Sequence, residues 1–272
     1  MGKHIGVFDS GIGGLSVLTE IYRKAPELTF SYIADTAFNP YGNKTEKQII
    51  QRSHYLTQQL LKKGVDLIVV ACNTATAFAI DDLRKHYQIP IVAMEPAIKP
   101  AAEQSQTGKV MIMATTMTLS SDRYYHLLER FAEQSQFIHQ ACPGLVEIVE
   151  NMEVVKPEAK QLIHQYVLPA LENNIDSIVL GCTHYPFLKD IIRELVGDHI
   201  SIIETSEAVS RQVVKKLETI TTVKKPDERL PEHKFYTTGS LEHFKSQVAY
   251  YWINPISKVI IKALKESSTS KH

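Results

Sequence analysis

The sequence predicts an α/β protein of two pseudo-symmetric lobes, each a mainly parallel sheet flanked by helices, with a candidate active site between them. Three observations predict it. Short apolar runs alternate with segments of helical period along the chain, the pattern of strands buried on both faces by crossover helices. Residues 65–77, VDLIVVACNTATA, drive such a run into Cys72 and then switch to helix-starting residues. IDSIVLGCTHYPFL repeats the device, with Asp176 six residues before Cys182 as Asp66 stands six before Cys72.

The elements follow in order. HIGVFDS reads as a strand running into a loop at Gly11, Gly13 and Gly14, then a helix with Leu15, Leu18, Ile21 and Tyr22 on one face, stopped by Pro26. A strand over residues 30–34 reaches Asp35 and the turn Asn39, Pro40, Tyr41, Gly42. Thr45 and Gln48 make a capping box for a helix that buries Leu56 and Leu60 and ends at Gly64. After Cys72, Asn73 or Thr74 is expected to cap a helix through Ala77, Ile80 and Leu83, and residues 89–94 form a short strand. The chain changes over at 96–100. VMIMATT is then a strand ending at Thr115, and Tyr124, Leu127, Leu128 and Phe131 mark a helix. FIHQACPGLVEIVE gives a strand and a helical turn carrying Glu147 and Glu150. Residues 159–171 are amphipathic, IDSIVLG is a buried strand, and Leu188, Ile191, Ile192 and Leu195 mark the helix after Cys182. A strand over 200–204 and a helix with Val209, Val213 and Leu217 follow. TVKKPDERLPEHK reads as a polar connection, FYTTG as a returning strand, and Ile256, Val259, Ile260 and Leu264 as a last helix before a frayed tail, SSTSKH. The cysteines stand 110 residues apart, and Asp9 and Thr115 are similarly offset, so the second half repeats the first.

Composition narrows the function. With 272 residues and 44% hydrophobic content the chain can bury a substantial core. Thirty basic against thirty acidic residues give no electrostatic case for nucleic acid or an anionic membrane as partner. MGKHIGVFDSG lacks a signal-peptide apolar core, and Gly6 stands where a myristoylation motif wants Ser or Thr. Three cysteines without a close pair suit a reducing compartment, so a cytoplasmic protein with free thiols is expected.

In parallel α/β sheets ligands bind beyond the carboxyl ends of the strands, where both Cys72 and Cys182 fall. A following helix amino terminus favours thiolate at each. Facing one another across a cleft, two thiols suit removing a proton from one face of a carbon and returning one to the other. Cys142 is read as a small packed residue. The polar followers Asn73, Thr74, Thr183 and His184 argue against that reading for the other two. A zinc site of Cys72, Cys182 and His184 lacks a closely spaced cysteine pair. A redox enzyme would more often show C-x-x-C. A hydrolase using Cys182 with His184 leaves Cys72 without a role. DSGIGG fits neither nucleotide-binding glycine motif, because Ser16 takes the third glycine's place; it either brings backbone amides to a small anion or makes a tight turn.

FDSGIGGLSVL, NPYGNK, ACNTATA and LGCTHYPFL, in this order and at these separations, closely resemble glutamate racemases of the aspartate/glutamate racemase family. The resemblance implies cofactor-independent, metal-free interconversion of L- and D-glutamate, supplying the D-isomer for peptidoglycan. It implies one lobe of residues 1–96 plus 208–272, a second of 97–207, and the small-molecule substrate between them. It makes Cys72 the base toward D-glutamate and Cys182 the base toward L-glutamate, with Asp9, His184 and Glu150 assisting proton transfer. Asp9, Ser10, Pro40, Tyr41, Gly42, Asn73, Thr74, Thr115, Thr118, Thr183 and His184 fall at substrate-contacting positions. Glu150 read without the resemblance is a solvated helix charge, and Tyr41 a packed aromatic. The chain starts at its first strand, without the extension of members activated by a cell-wall nucleotide precursor, so that regulation is not expected. A homodimer is the expected assembly. The alternatives are an aspartate or related amino-acid racemase and a noncatalytic amino-acid-binding module. Malonate-decarboxylating relatives keep one cysteine, so two favour racemisation.

Overall fold

Strands that read as unbroken apolar runs are covered on both faces. β1 (His4–Asp9) is buried from Ile5 onward, and all four residues of β3 (Leu67–Val70) are buried. The computed structural model describes residues 3–220, 232–252 and 258–264. The first half runs β1, α1 (Leu15–Lys24), β2 (Thr29–Ala34), α2 (Glu46–Leu61), β3, α3 (Asn73–His86), β4 (Ile91–Ala93) and α4 (Ile98–Gln104). The second half runs β5 (Lys109–Ala114), α5 (Thr116–Leu119), α6 (Asp122–Glu129), β6 (Gln136–Ala141), α7 (Leu145–Glu150), α8 (Pro157–Glu172), β7 (Ser177–Leu180), α9 (Lys189–Val196) and β8 (Ser201–Ile203). Then come α10 (Ser206–Glu218), β9 (Glu232–Thr237), α11 (Leu241–Tyr251) and β10 (Lys258–Ala263).

Two parallel sheets result. The first has the order β10-β9-β2-β1-β3-β4 and the second β6-β5-β7-β8. The pattern 2-1-3-4 therefore recurs as 6-5-7-8, which is the duplication the cysteine stretches announced. The first sheet gains β9 and β10 from the end of the chain. In each sheet the connection reverses direction between the two central strands, β1 beside β3 and β5 beside β7, and that switch point opens a crevice at their carboxyl ends. Asp9 and Cys72 lie at one crevice, Thr115 and Cys182 at the other.

Several local expectations need correction. The last helix is a strand: β10 pairs with β9 from Lys258↔Glu232 to Ala263↔Thr237. Val259, Ile260 and Ile261 are β-branched neighbours, and exposed Lys258 and Lys262 suit an edge strand. Ile256, the polar connection up to residue 231 and the tail lie outside the described residues; the last three residues of TVKKPDERLPEHK begin β9. α11 was not anticipated; Ser240 caps it, its hydroxyl accepting from His243 N–H at 3.3 Å, and Phe244, Gln247, Val248 and Tyr251 form its buried face. α3 is capped by Cys72 itself, whose sulfur accepts from Ala75 N–H at 3.4 Å, and neither Asn73 nor Thr74 is the cap. Cys142 is buried in the larger hydrophobic cluster. Among the described residues, no helix is long and apolar enough to cross a membrane.

The Thr45 capping box is present in full, with Gln48 N–H donating to the hydroxyl at 3.3 Å and the Gln48 amide oxygen accepting from Thr45 N–H at 3.0 Å. Thr45→Ala should lower unfolding free energy by about 1 kcal/mol, read as a fall in the urea midpoint at unchanged slope.

Candidate active site

Both crevices open on one cavity. Ser10, Pro40, Tyr41, Gly42, Cys72, Asn73 and Thr74 line it from the first half, and Thr115, Val146, Cys182, Thr183 and His184 from the second. Its water-accessible volume is about 10 Å³, the room that one water needs. Of the expected residues, Asp9, Thr118 and Glu150 stand behind this wall. Val146, from α7, is the lining residue the sequence reading missed; an apolar residue among apolar neighbours carries no chemical signature.

Asp9 ends β1 and is fully buried. Its Oδ2 accepts from Gly11 N–H at 3.2 Å and Gly14 N–H at 3.1 Å, and its Oδ1 accepts from the Thr183 hydroxyl at 3.2 Å. The glycine loop thus turns its amides onto a carboxylate of the chain itself. Burial raises the Asp9 carboxyl above its ordinary range, against the lowering influence of His184 and the Gly11 amide. Burial, reinforced by the nearby Asp9 charge, pushes the Cys72 thiol up to about 12. That corrects the expectation that the helix amino terminus makes Cys72 a thiolate: the Ala75 amide does favour the anion, but removal from water outweighs it.

Cys182 has a different setting. The chain after it forms a tight 3₁₀ turn, Tyr185–Leu188, before α9 begins, so no α-helix starts at its sulfur. His184 Nδ1 lies 3.7 Å from Cys182 Sγ, and Nε2 lies 2.7 Å from Glu150 Oε1. Burial alone would lower the His184 imidazole, but hydrogen bonds and charges at Cys182 and Glu150 outweigh it and hold His184 well above the ordinary imidazole range. Burial would raise Glu150, yet the His184 contacts, Ile12 N–H at 2.8 Å and the Gln247 amide at 2.6 Å hold it below the ordinary carboxylate range. Glu150 is therefore no solvated helix charge; its side chain is 13% exposed. Glu147, one turn earlier, takes no part in these contacts.

The remaining positions close the cleft from both sides. Thr74 Oγ1 lies 2.9 Å from Thr115 Oγ1 and 3.1 Å from Thr118 Oγ1, a hydroxyl cluster joining the halves. Tyr41 is buried, and its hydroxyl donates to Asp35 at 2.6 Å, with Arg52 on the same carboxylate at 2.6 Å. Packed aromatic and cavity wall are thus one residue. The Asn73 side chain is buried at the cavity, and neither its amide nitrogen nor its oxygen has a hydrogen-bond partner among the described residues. Such a group is costly unless a polar ligand satisfies it. Two sulfurs, an imidazole held by a carboxylate, hydroxyls and an unpaired amide can bind a small zwitterion and move protons.

The Glu150–His184 pair gives a pH signature. A raised His184 stabilises the fold most below the imidazole's unfolded value of about 6.5, and that contribution is lost as pH rises through its folded value. A depressed Glu150 contributes above about pH 4.3 and loses its contribution as pH falls through its folded value. The stability difference between the parent protein and Glu150→Gln should peak at roughly pH 4.3–6.5 and shrink on either side, as read by urea unfolding across pH.

Residues 8–213 match the family described as Asp/Glu/hydantoin racemase. A glutamate racemase of Pseudomonas aeruginosa is 41% identical over 260 residues, 94% of this chain and 97% of that protein. One of Ectopseudomonas mendocina is 48% identical over 214 residues, 78% of this chain and 81% of that protein. The crystal structure of Escherichia coli glutamate racemase, in complex with L-glutamate and the activator UDP-MurNAc-Ala, superposes with a TM-score of 0.86 at 27% identity, covering 97% of this chain and 98% of that one. Two parallel sheets in the 2-1-3-4 order, a thiol at each switch point and these likenesses over nearly the whole length lead to one conclusion: the chain belongs to the Asp/Glu/hydantoin racemase family of isomerases, on its glutamate racemase side.

Proposed function

We propose that the protein interconverts L- and D-glutamate without a cofactor, by two-base proton transfer between Cys72 and Cys182, and so provides D-glutamate for peptidoglycan synthesis in the cytoplasm. The single observation that carries this reading is that the two sulfurs, from the two sheets, border one cavity. In the direction from L-glutamate, Cys182 takes the α-proton while Cys72 delivers one to the opposite face. In the reverse direction the roles exchange. With its thiol pushed up to about 12, Cys72 stands ready as the acid of the first direction.

His184, bonded to Glu150 at 2.7 Å, sits beside the sulfur that must carry negative charge when it acts as base. Asp9 assists at Cys72. Ser10, Pro40, Tyr41, Gly42, Asn73, Thr74, Thr115 and Thr183 hold the ammonium and carboxylates, and Thr118 supports them through Thr74 and Thr115. An amino acid's α-hydrogen is a very weak acid, and one preorganised donor contributes roughly 2.7–4 kcal/mol against the 8–23 kcal/mol that enzymes typically supply. Several donors must therefore act together, which the unpaired Asn73 amide and the hydroxyl cluster support.

In this reading residues 1–96 plus 208–272 form one lobe and residues 97–207 the other, a division that the membership of the two sheets supports. Substrate enters as the lobes separate. A homodimer is the assembly this reading includes.

Incubation with L-glutamate in heavy water tests the proposal. Deuterium should appear at Cα of newly formed D-glutamate before it appears in the remaining L-glutamate, whereas a single base labels both pools together and a binding module labels neither. Cys72→Ser and Cys182→Ser should each lose at least about 10²–10⁴-fold in racemisation with unchanged circular dichroism. Full activity in either variant removes the assignment.

A further inference from the structure

A second cluster of chemically able side chains lies at the other end of the helix that Cys72 opens. Asp82 and His86 stand four residues apart in the last turns of α3, hence on one face, and His54 meets them from α2. His54 Nε2 bonds Asp82 Oδ2, and His86 Nδ1 lies 2.9 Å from the Asp82 carbonyl oxygen and 3.2 Å from Asp82 Oδ1. The two imidazole rings stand edge to face with centroids 5.0 Å apart. One donor atom from each of the three residues lies within 4.8 Å of the others. The cluster is open to solvent, with His86 60% exposed, and it borders a broad surface depression of about 640 Å³ that also involves Gln51, Gln58 and Tyr87. No residue of the racemisation cavity belongs to it.

We propose that His54, Asp82 and His86 form a binding site for a divalent ion of the Zn²⁺ class between α2 and α3. The donor chemistry selects the ion: two imidazoles and one carboxylate suit Zn²⁺, Co²⁺ or Ni²⁺ better than Mg²⁺ or Ca²⁺, which prefer oxygen alone. The geometry is close. Bonds of about 2.0–2.1 Å in a tetrahedron put donor atoms roughly 3.3–3.5 Å apart, which these partly exposed side chains reach by small rotations while two of the three donors share one helical turn. His54 is already oriented, because its Nδ1 lies 3.0 Å from the Tyr87 hydroxyl and its Nε2 points to Asp82. An outer hydrogen bond on the far ring nitrogen is what metal-binding histidines use to fix their direction. The carboxyl end of α3, the negative end of its dipole, also favours a cation there. Lys85 is the nearby opposing charge, and Arg84 is turned away onto the Ile91 carbonyl at 3.3 Å. Three protein donors leave the fourth position to water.

The test uses the full chain, purified without a histidine tag and titrated with Co²⁺ under reducing conditions free of chelators. One equivalent should bind with the visible absorption of a nitrogen- and oxygen-ligated tetrahedral ion, without a sulfur-to-cobalt charge-transfer band, and Zn²⁺ should displace it. His54→Ala, Asp82→Asn and His86→Ala should each weaken Co²⁺ binding at least tenfold, while His126→Ala at an exposed helix position leaves it unchanged. Zn²⁺ should raise the thermal midpoint of the parent protein but not of the His86→Ala variant, whose exposed side chain makes loss of fold no issue. Absence of stoichiometric binding, affinity unchanged in the histidine variants, or a sulfur band lost in Cys72→Ser or Cys182→Ser would each overturn the site and leave the cluster as a hydrogen-bonded contact between two helices.

Discussion

The Glu150 carboxylate is the constraint on which the rest of the structure depends. It stands on α7 beside the second sheet, yet most of its donors come from the other half: Ile12 N–H and the Asn39 amide on Oε1, and the Gln247 amide on Oε2. The backbone around it is held from the same side, with His243 and Gln247 on the Glu150 carbonyl and the Tyr251 hydroxyl on that of Val149. A buried carboxylate so surrounded is held below its ordinary range, and its Oε1 bonds one nitrogen of the His184 ring while the other faces Cys182. One residue thereby couples the packing of two lobes to the setting of one sulfur. Its cost if unpaired would be severe, because a buried charge without partners loses far more than a buried hydrogen bond returns.

Duplication of the backbone did not duplicate the electrostatics. β1 beside β3 and β5 beside β7 deliver a sulfur to equivalent places. Cys72 then caps α3 under the influence of Asp9, while Cys182 is followed by a tight turn that brings His184 back to it. The two thiols therefore differ in their partners although they share a topology. The two-base reaction proposed above needs both an acid and a base at any moment, and unequal surroundings suit two sulfurs to those different parts.

Much of this was legible in the residues. The cysteine stretches fixed both switch points, because an apolar run ending in a polar, helix-starting segment has few other uses. The Thr45 capping box was readable from its spacing. β10 was not, since Ile256, Val259, Ile260 and Leu264 also satisfy a helical period and only the free edge of β9 recruits residues 258–263 as a strand. α11 carried a readable signal in Ser240 and the spacing of Phe244, Val248 and Tyr251, but its central buried position is Gln247, a polar residue that makes sense only once Glu150 is across from it. The raised Cys72 thiol was likewise hidden. Local sequence shows the helix amide that lowers such a group, whereas the enclosing walls and the Asp9 charge that raise it come from elsewhere in the chain.

The narrowness of the cavity bears on how affinity would be read. If the conformation with room for about one water predominates in solution, glutamate meets a receptive protein for only a fraction of the time. Its apparent dissociation constant is then the intrinsic one divided by that fraction. A narrow predominant state of this kind lowers apparent affinity without removing a single contact to the ligand.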